Sequence, residues 1–170
     1  RTYTDVCPAG GYPAGKIYIY SWDGNDWIEQ GDGITGDAQI SDVNCIELGC
    51  KVALSGDGNT VVATNPFYTS ETGGGLQGGN AHGITQVFHY ENSNWFKVGD
   101  DIIGGNGSRS GSSIALNYDG TKIIVGAPAT SLSSNGNGQG FVGRLNVYEL
   151  SSSNNWITIG TGTWDNETSG

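Results

Sequence analysis

Methionine is missing altogether from these 170 residues, and basic side chains are scarce: seven Lys and Arg stand against seventeen Asp and Glu, for a net charge of −10. So acidic a chain repels nucleic-acid phosphates and anionic membrane surfaces, both of which recruit basic patches, so neither is an expected partner. No uninterrupted apolar run approaches the ~20 residues of a membrane-spanning helix, and no membrane span is expected. Charged residues are only 14% of the total, which leaves the surface to Ser, Thr, Asn and Gly. With Arg1 in first place and no methionine, the expectation is a processed protein or an excised segment, and a processed chain would have lost any signal peptide.

Cysteine is nearly as rare. Cys7, Cys45 and Cys50 are three, so a single bridge leaves one over. Cys45 and Cys50 bracket a short loop that a disulfide would close, and Cys7 could reach either of them or another chain. Their spacing fits no zinc pattern, and His82 and His89 lie far from any cysteine pair, so no metal site is expected from them. Two Asn-X-Ser/Thr sequons occur, at Asn106 and Asn166, each shortly after a strand of the form Trp-x-x-x-Gly. An N-linked glycan at either would project into solvent. Together with the cysteines and low charge, the sequons point to an extracellular or cell-surface setting.

What the sequence has in abundance is glycine, thirty residues, without the Gly-X-Y period of collagen. The glycines separate short β-branched and aromatic runs, as in a β protein with many connections. Much of the chain is also said more than once. Gly49 to Pro66 aligns without a gap on Gly111 to Pro128, with Ala53/Ala115, Leu54/Leu116, Asp57/Asp119 and Gly58/Gly120 in register. A second piece occurs three times, beginning at Trp27, Trp95 and Trp156 and ending at Gly31, Gly99 and Gly160. The repeated Trp offers a large apolar anchor and an indole N–H that needs a partner when buried.

Alternation and turn signals predict strands at Thr2–Val6, Lys16–Trp22, Trp27–Gln30, Lys51–Ser55, Thr60–Thr64, Thr85–Tyr90, Trp95–Val98, Ser113–Asn117, Thr121–Val125, Arg144–Leu150 and Trp156–Ile159. Asp57-Gly58 is read as a type I′ hairpin turn. In Lys16–Trp22, Ile17 and Ile19 share one face and Tyr18 and Tyr20 the other. Gly31–Gly49 and the glycine-rich stretch before Gly111 read as loops, and no helix is predicted. Each unit of roughly 60 residues then holds four short antiparallel strands, the signature of tandem β-propeller-like blades, fewer than three in this chain. The boundaries fall at 1–48, a partial blade entered mid-repeat, 49–110 and 111–170, and the expectation is one continuous structural domain. Against three complete units, one strand of the Gly-x-x-Val-Ala-Leu type is wanting ahead of Thr2.

The pattern resembles FG-GAP-type β-propeller repeats, including the divergent forms in microbial and algal surface proteins. The residues that carry the resemblance are Gly111-x-x-Ile114-Ala115-Leu116, Asp119-Gly120, Gly126-Ala127-Pro128 and Gly143-x-Leu145-x-Val147-Tyr148, with Gly49-x-x-Val52-Ala53-Leu54, Asp57-Gly58 and Pro66 in the earlier copy. The Phe of Phe-Gly is replaced by Leu48 and Ser110. Blades of this family often carry a calcium loop of alternating Asp and Asn ligands. Here the corresponding turns hold one carboxylate each, Asp57 or Asp119, short of the six to eight oxygens that calcium takes. The acidic loop with Asp32, Asp37 and Asp42 is the better calcium candidate, although a solvated loop is its default reading, and no cofactor is expected.

No convergent catalytic set emerges. The carboxylates lie mostly in turns, where Asp is favoured for backbone reasons. Ser55-x-Asp57 looks superficially similar to a sialidase Asp box, but its Gly and aromatic positions hold Asn59 and Val62, and the only arginines are Arg1, Arg109 and Arg144. His89 is read as a hydrogen-bonded core histidine, at the repeat position of Ile19 and Val147. The expectation is therefore a non-enzymatic structural module, self-associating head to tail into a glycosylated surface fibre or appendage. A carbohydrate- or protein-binding adhesin module, with Trp22 and Trp164 as sugar-stacking candidates, is the alternative. A glycosidase-like propeller enzyme ranks third.

Overall fold

The computed structural model describes residues 15–36, 48–69, 81–131 and 141–163. All the regular structure among them is β, in antiparallel sheets of which none closes into a barrel. No helix is long and apolar enough to cross a membrane among the described residues.

The first unit holds β1 (Lys16–Ile17), β2 (Tyr20–Trp22), β3 (Trp27–Glu29) and β4 (Ile34–Thr35). β2 pairs with β3 and β1 with β4. The single strand predicted over Lys16–Trp22 is thus two, and the break falls where the chain changes partner. The Asp23 carboxylate closes the β2–β3 turn, accepting from the N–H groups of Asn25 and Asp26 at 2.8 and 2.7 Å. Those bonds, Asp26's first, hold its carboxyl below the usual carboxylate range.

The middle sheet runs β5 (Lys51–Leu54), β6 (Thr60–Asn65), β7 (Ile84–Glu91) and β8 (Asn94–Lys97) in chain order. β9 (Ile102–Ile103) pairs with the start of β7, beyond the reach of β8. The third sheet is the meander β10 (Ser113–Leu116), β11 (Lys122–Ser131), β12 (Phe141–Leu150) and β13 (Trp156–Thr163). β4 and β9 lie in stretches read as loops from sequence. Two residues between glycines and aspartates carry no alternation, so the periodic signal is absent. Their pairing is nevertheless the same: Ile34 opposes Ile17, and Ile102 opposes Thr85.

Two turns differ from expectation. Asp57-Gly58 is not type I′, which needs positive φ at both central residues. Only Gly58 has one, at 78°, while its N–H bonds the Ser55 carbonyl at 3.0 Å, so the five-residue connection 55–59 is built on a turn that closes with a left-handed glycine. The Asp side chain folds back to organise it, taking the Ser55 hydroxyl at 2.6 Å and the Asn59 N–H at 3.0 Å. The geometry foreseen at Asp57-Gly58 occurs instead between β7 and β8, where Asn92 and Ser93 have φ of 50° and 65°.

Period-two alternation gives the middle sheet two apolar faces. Val61, Ala63 and Phe88 join Ile34, Leu48, Tyr68 and Trp95, with Ile17 and Ile19 of the first unit packed on them. Val62 and Val87 point the other way, into Ile102, Ile123 and Val125, with Ile114, Leu116, Tyr148 and Trp156 around them. Every residue of β6 is buried as a result. Burying a Val or Ile side chain stabilises by about 1.5–3 kcal/mol, so these two layers are the main cohesive contribution.

His89 is a correction. Strand pairing places it opposite Phe96, as Ser21 opposes Ile28 and Glu149 opposes Ile157. Its structural counterparts are therefore Ser21 and Glu149, while Val87 is the counterpart of Ile19 and Val147. His89 is exposed, and its Nδ1 lies 3.1 Å from the Thr60 hydroxyl.

Candidate functional site

The features that recur with defined geometry are the joints between units. At the first joint the Trp95 indole donates to the Gln30 carbonyl at 2.8 Å. At the second the Trp156 indole donates to the Val98 carbonyl at 2.9 Å. In each case the acceptor is the third residue after the preceding unit's own Trp. The glycine that follows the acceptor is the seat for the ring. A Cβ on Gly31 would stand 3.2 Å from Cδ1 of Trp95, and one on Gly99 would stand 2.7 Å from Cδ1 of Trp156. Both glycines adopt left-handed backbone, φ 69° and 71°, which turns the chain away beneath the indole.

Trp27, the first copy, is 68% exposed, and its indole makes no hydrogen bond among the described residues. It packs on Trp22, ring centroids 5.6 Å apart, as Trp95 packs on Tyr90 at 5.0 Å. Trp22 is 54% exposed, whereas its counterpart Tyr90 is drawn into the first joint. Trp164 lies outside the described residues.

The Asp-Gly turns stack across the second joint. The Asp57 N–H donates to the Tyr118 carbonyl at 3.1 Å, and a Cβ on Gly56 would meet the Tyr118 ring. Gly120 has its φ at 69° and sits on the Thr60 side chain, while Thr64 donates its hydroxyl to the Gly111 carbonyl at 2.8 Å. Asp119 repeats the role of Asp57: its Oδ1 accepts from the Thr121 hydroxyl at 2.6 Å, the Thr121 N–H at 3.1 Å and the Asn117 amide at 2.6 Å. The carboxyls of Asp57 and Asp119 are held below their usual range chiefly by the Ser55 and Thr121 hydroxyls respectively. Oxygens so engaged organise backbone and are poorly placed to serve as ligands or bases.

The remaining sequence candidates are dispersed. Asn106 is exposed on a turn closed by the Ser108 N–H and the Gly105 carbonyl at 3.0 Å, while the Ser108 hydroxyl is buried on the His82 carbonyl. Cys50 is exposed, and its N–H bonds the Thr64 carbonyl. Cys7, Cys45, Asn166, Asp37 and Asp42 lie outside the described residues, as does the strand predicted at Thr2–Val6. Among the described residues no group of three or more His, Cys, Asp or Glu is gathered as for a metal ion. An open cleft of about 310 Å³ lies beside the second joint, lined among others by Asp100, Asp101, Tyr148, Asn155, Trp156 and Thr158.

Sequence reasoning missed the acceptors Gln30 and Val98, because a carbonyl carries no side-chain signature. The recurrent glycine one position later was the available signal. Also missed was a buried polar set in the second joint, where His82 Nδ1, Thr85 Oγ1 and Ser110 Oγ have no hydrogen-bond partner among the described residues. Comparisons with family models, with curated proteins and with solved structures find no match for this chain.

Proposed function

We propose that this protein is an extracellular structural repeat module of FG-GAP-like, propeller-type blades, serving as a subunit of a glycosylated surface fibre or appendage. The observation that carries the reading is the unequal treatment of two equivalent surfaces. The central strands of the middle sheet are covered on both faces by neighbouring units, whereas the corresponding outer face of the third sheet is apolar and open, with Ile124 and Leu145 each 40% exposed where their counterparts Val62 and Thr85 are 0%. Apolar area on that scale marks a surface that binds other protein. Exposed Asn106 supplies a place for an N-linked glycan. Carboxylates committed to turn backbone favour a structural role over an enzymatic one.

The test is the assembly state of the purified chain. Light scattering and electron micrographs over a concentration series should show growth into elongated particles, and enzymatic deglycosylation of native material should lower its mass. A chain that stays monomeric at millimolar concentration would remove the fibre reading.

A second reading, a carbohydrate-binding adhesin module, draws on the exposed row Tyr18, Tyr20, Trp22 and Trp27 and on the cleft where aromatics and carboxylates meet. Sugar faces stack on aromatics and their hydroxyls bond carboxylates and amides. A glycan array separates the readings, since an adhesin gives hits that Trp22→Ala abolishes.

A further inference from the structure

The uncovered surfaces at the two ends of the chain are halves of the same joint. On the third sheet, Ala115, Ile124 and Val147 are paired in one row across β10, β11 and β12, and Leu145, next but one to Val147 on β12, shares their face, turned from the middle sheet. Strand pairing matches these residues in turn to Ala53, Val62, Val87 and Thr85 of the middle sheet. There Val62 and Val87 are 0% and 1% exposed, because the third unit's Ile123, Val125, Tyr148 and Trp156 lie over them. On the third sheet itself Ile124 and Leu145 are each 40% exposed, against 0% for their counterparts Val62 and Thr85.

The first unit shows the opposite half. Tyr20, Trp22 and Trp27 correspond by register to Phe88, Tyr90 and Trp95. Phe88 and Trp95 are each 8% exposed, closed in by the first unit, while Tyr20 and Trp27 are 47% and 68% exposed. The chain therefore presents an aromatic front and an aliphatic rear, and makes the front-to-rear contact between them twice within itself.

We infer that the partner for the open rear face is a second copy of this chain, docked by its first unit, with the Trp27 indole donating to the Ile159 carbonyl over Gly160. Ile159 stands three residues after Trp156, as Gln30 and Val98 stand after Trp27 and Trp95. Gly160 is the seat, and the structure holds it in its undocked form. Gly31 and Gly99 are left-handed and their strands stop before them, but Gly160 lies within β13, which continues to Thr163. A register irregularity already sits beside it, between Val147 and Tyr148 of β12, so the strand has a ready point at which to turn. Docking would switch Gly160 to positive φ and release Thr161–Thr163 from β12. The contact is heterologous: the surface used on one copy differs from that on the next, so growth is head to tail. This inference rests on the assembly reading above and specifies its joint.

Two blocked variants test it. Ile124→Glu with Leu145→Glu spoils the rear and leaves the front, whereas Tyr20→Glu with Trp27→Ala spoils the front and leaves the rear. All four positions are solvent-exposed, and thermal melts of each variant check that it folds. Each variant alone should be monomeric where the wild type assembles, with association weakened at least tenfold. Mixed, they should form a one-to-one dimer and nothing longer, because only one front and one rear remain competent. Wild-type assembly that both variants retain would overturn the joint while sparing the assembly reading. A wild-type chain monomeric at all concentrations would overturn both. A symmetric dimer that either variant forms alone would show a different contact and overturn the joint.

Discussion

The Trp95 indole N–H reaches 65 residues back along the chain to the carbonyl of Gln30, 2.8 Å away, and closes the first joint. Trp95→Phe keeps most of the ring's apolar area and removes the donor. A buried carbonyl left without a partner costs about 1–3 kcal/mol. A melt should register a Tm lower by about 2–4 °C for each kcal/mol lost in a chain of this length. Trp27→Phe, at a position 68% exposed, should leave the monomer's Tm unchanged. Equal effects at the two positions would mean that the hydrogen bond is not what distinguishes them.

The glycine seat makes a separate prediction. Gly99 is left-handed, and a Cβ there would press on the Trp156 ring at 2.7 Å. Gly24 is also at positive φ, 106°, but has nothing within 4 Å. Gly24→Ala therefore pays only the conformational cost of about 1–2 kcal/mol. Gly99→Ala adds displacement of the indole from Val98 and should be clearly the more destabilising, read by denaturant titration. Gly105→Ala, in open space without positive φ, is the neutral control.

These comparisons also show what was legible in the sequence. The all-β class and the principal hairpins were readable because alternating runs such as Thr60–Thr64 and turn glycines are local signals. The short strands β4 and β9 were not, since their pairing depends on β1 and β7, distant in the chain. Counting residues back from the shared Tyr set Val87 against Leu145 and His89 against Val147. Backbone pairing shows that the offset is two residues, because the two Tyr are not equivalent: Tyr148 is the counterpart of Phe88, and Leu150 that of Tyr90. The Trp motif was visible three times, yet its meaning lay in a carbonyl of the preceding unit. Exposure of the third sheet's outer row was equally hidden, as Ile124 and Val62 look alike until the neighbour covering only one of them is seen.

The second joint carries a correctable imperfection. Thr85 and Ser110 are buried, and neither hydroxyl has a hydrogen-bond partner among the described residues. Their counterparts in the first joint are apolar: Ile17 pairs with Ile34 as Thr85 pairs with Ile102, and Leu48 crowds Gly15 as Ser110 crowds Gly83. Thr85→Ile with Ser110→Leu copies the first joint onto the second. Relieving two unsatisfied groups, at about 1–3 kcal/mol each, should raise stability in equilibrium unfolding. A loss of stability instead would show that the site is too small for the added carbons or that the hydroxyls hold a water.

Acid sensitivity should reside in the Asp-Gly turns. Asp57 and Asp119 have folded-state pKa values below their unfolded ones, because their hydroxyl and N–H donors favour the carboxylate. Between the two values the unfolded chain binds more protons, so stability rises with pH across that interval. The contribution is fully present above the unfolded value, about 4, and is lost as pH falls through the folded value. Stability measured by denaturant titration should be flat from neutral pH to about 5 and decline below about 4, in the range where unperturbed carboxylates titrate. Asp57→Asn and Asp119→Asn keep a side-chain oxygen to accept the turn hydrogen bonds but cannot titrate. The double variant should be less stable at neutral pH and show a shallower acid decline. An undiminished decline would place the acid-labile groups elsewhere, with Asp23, held by the N–H groups of Asp26 and Asn25, next to be tested by Asp23→Asn.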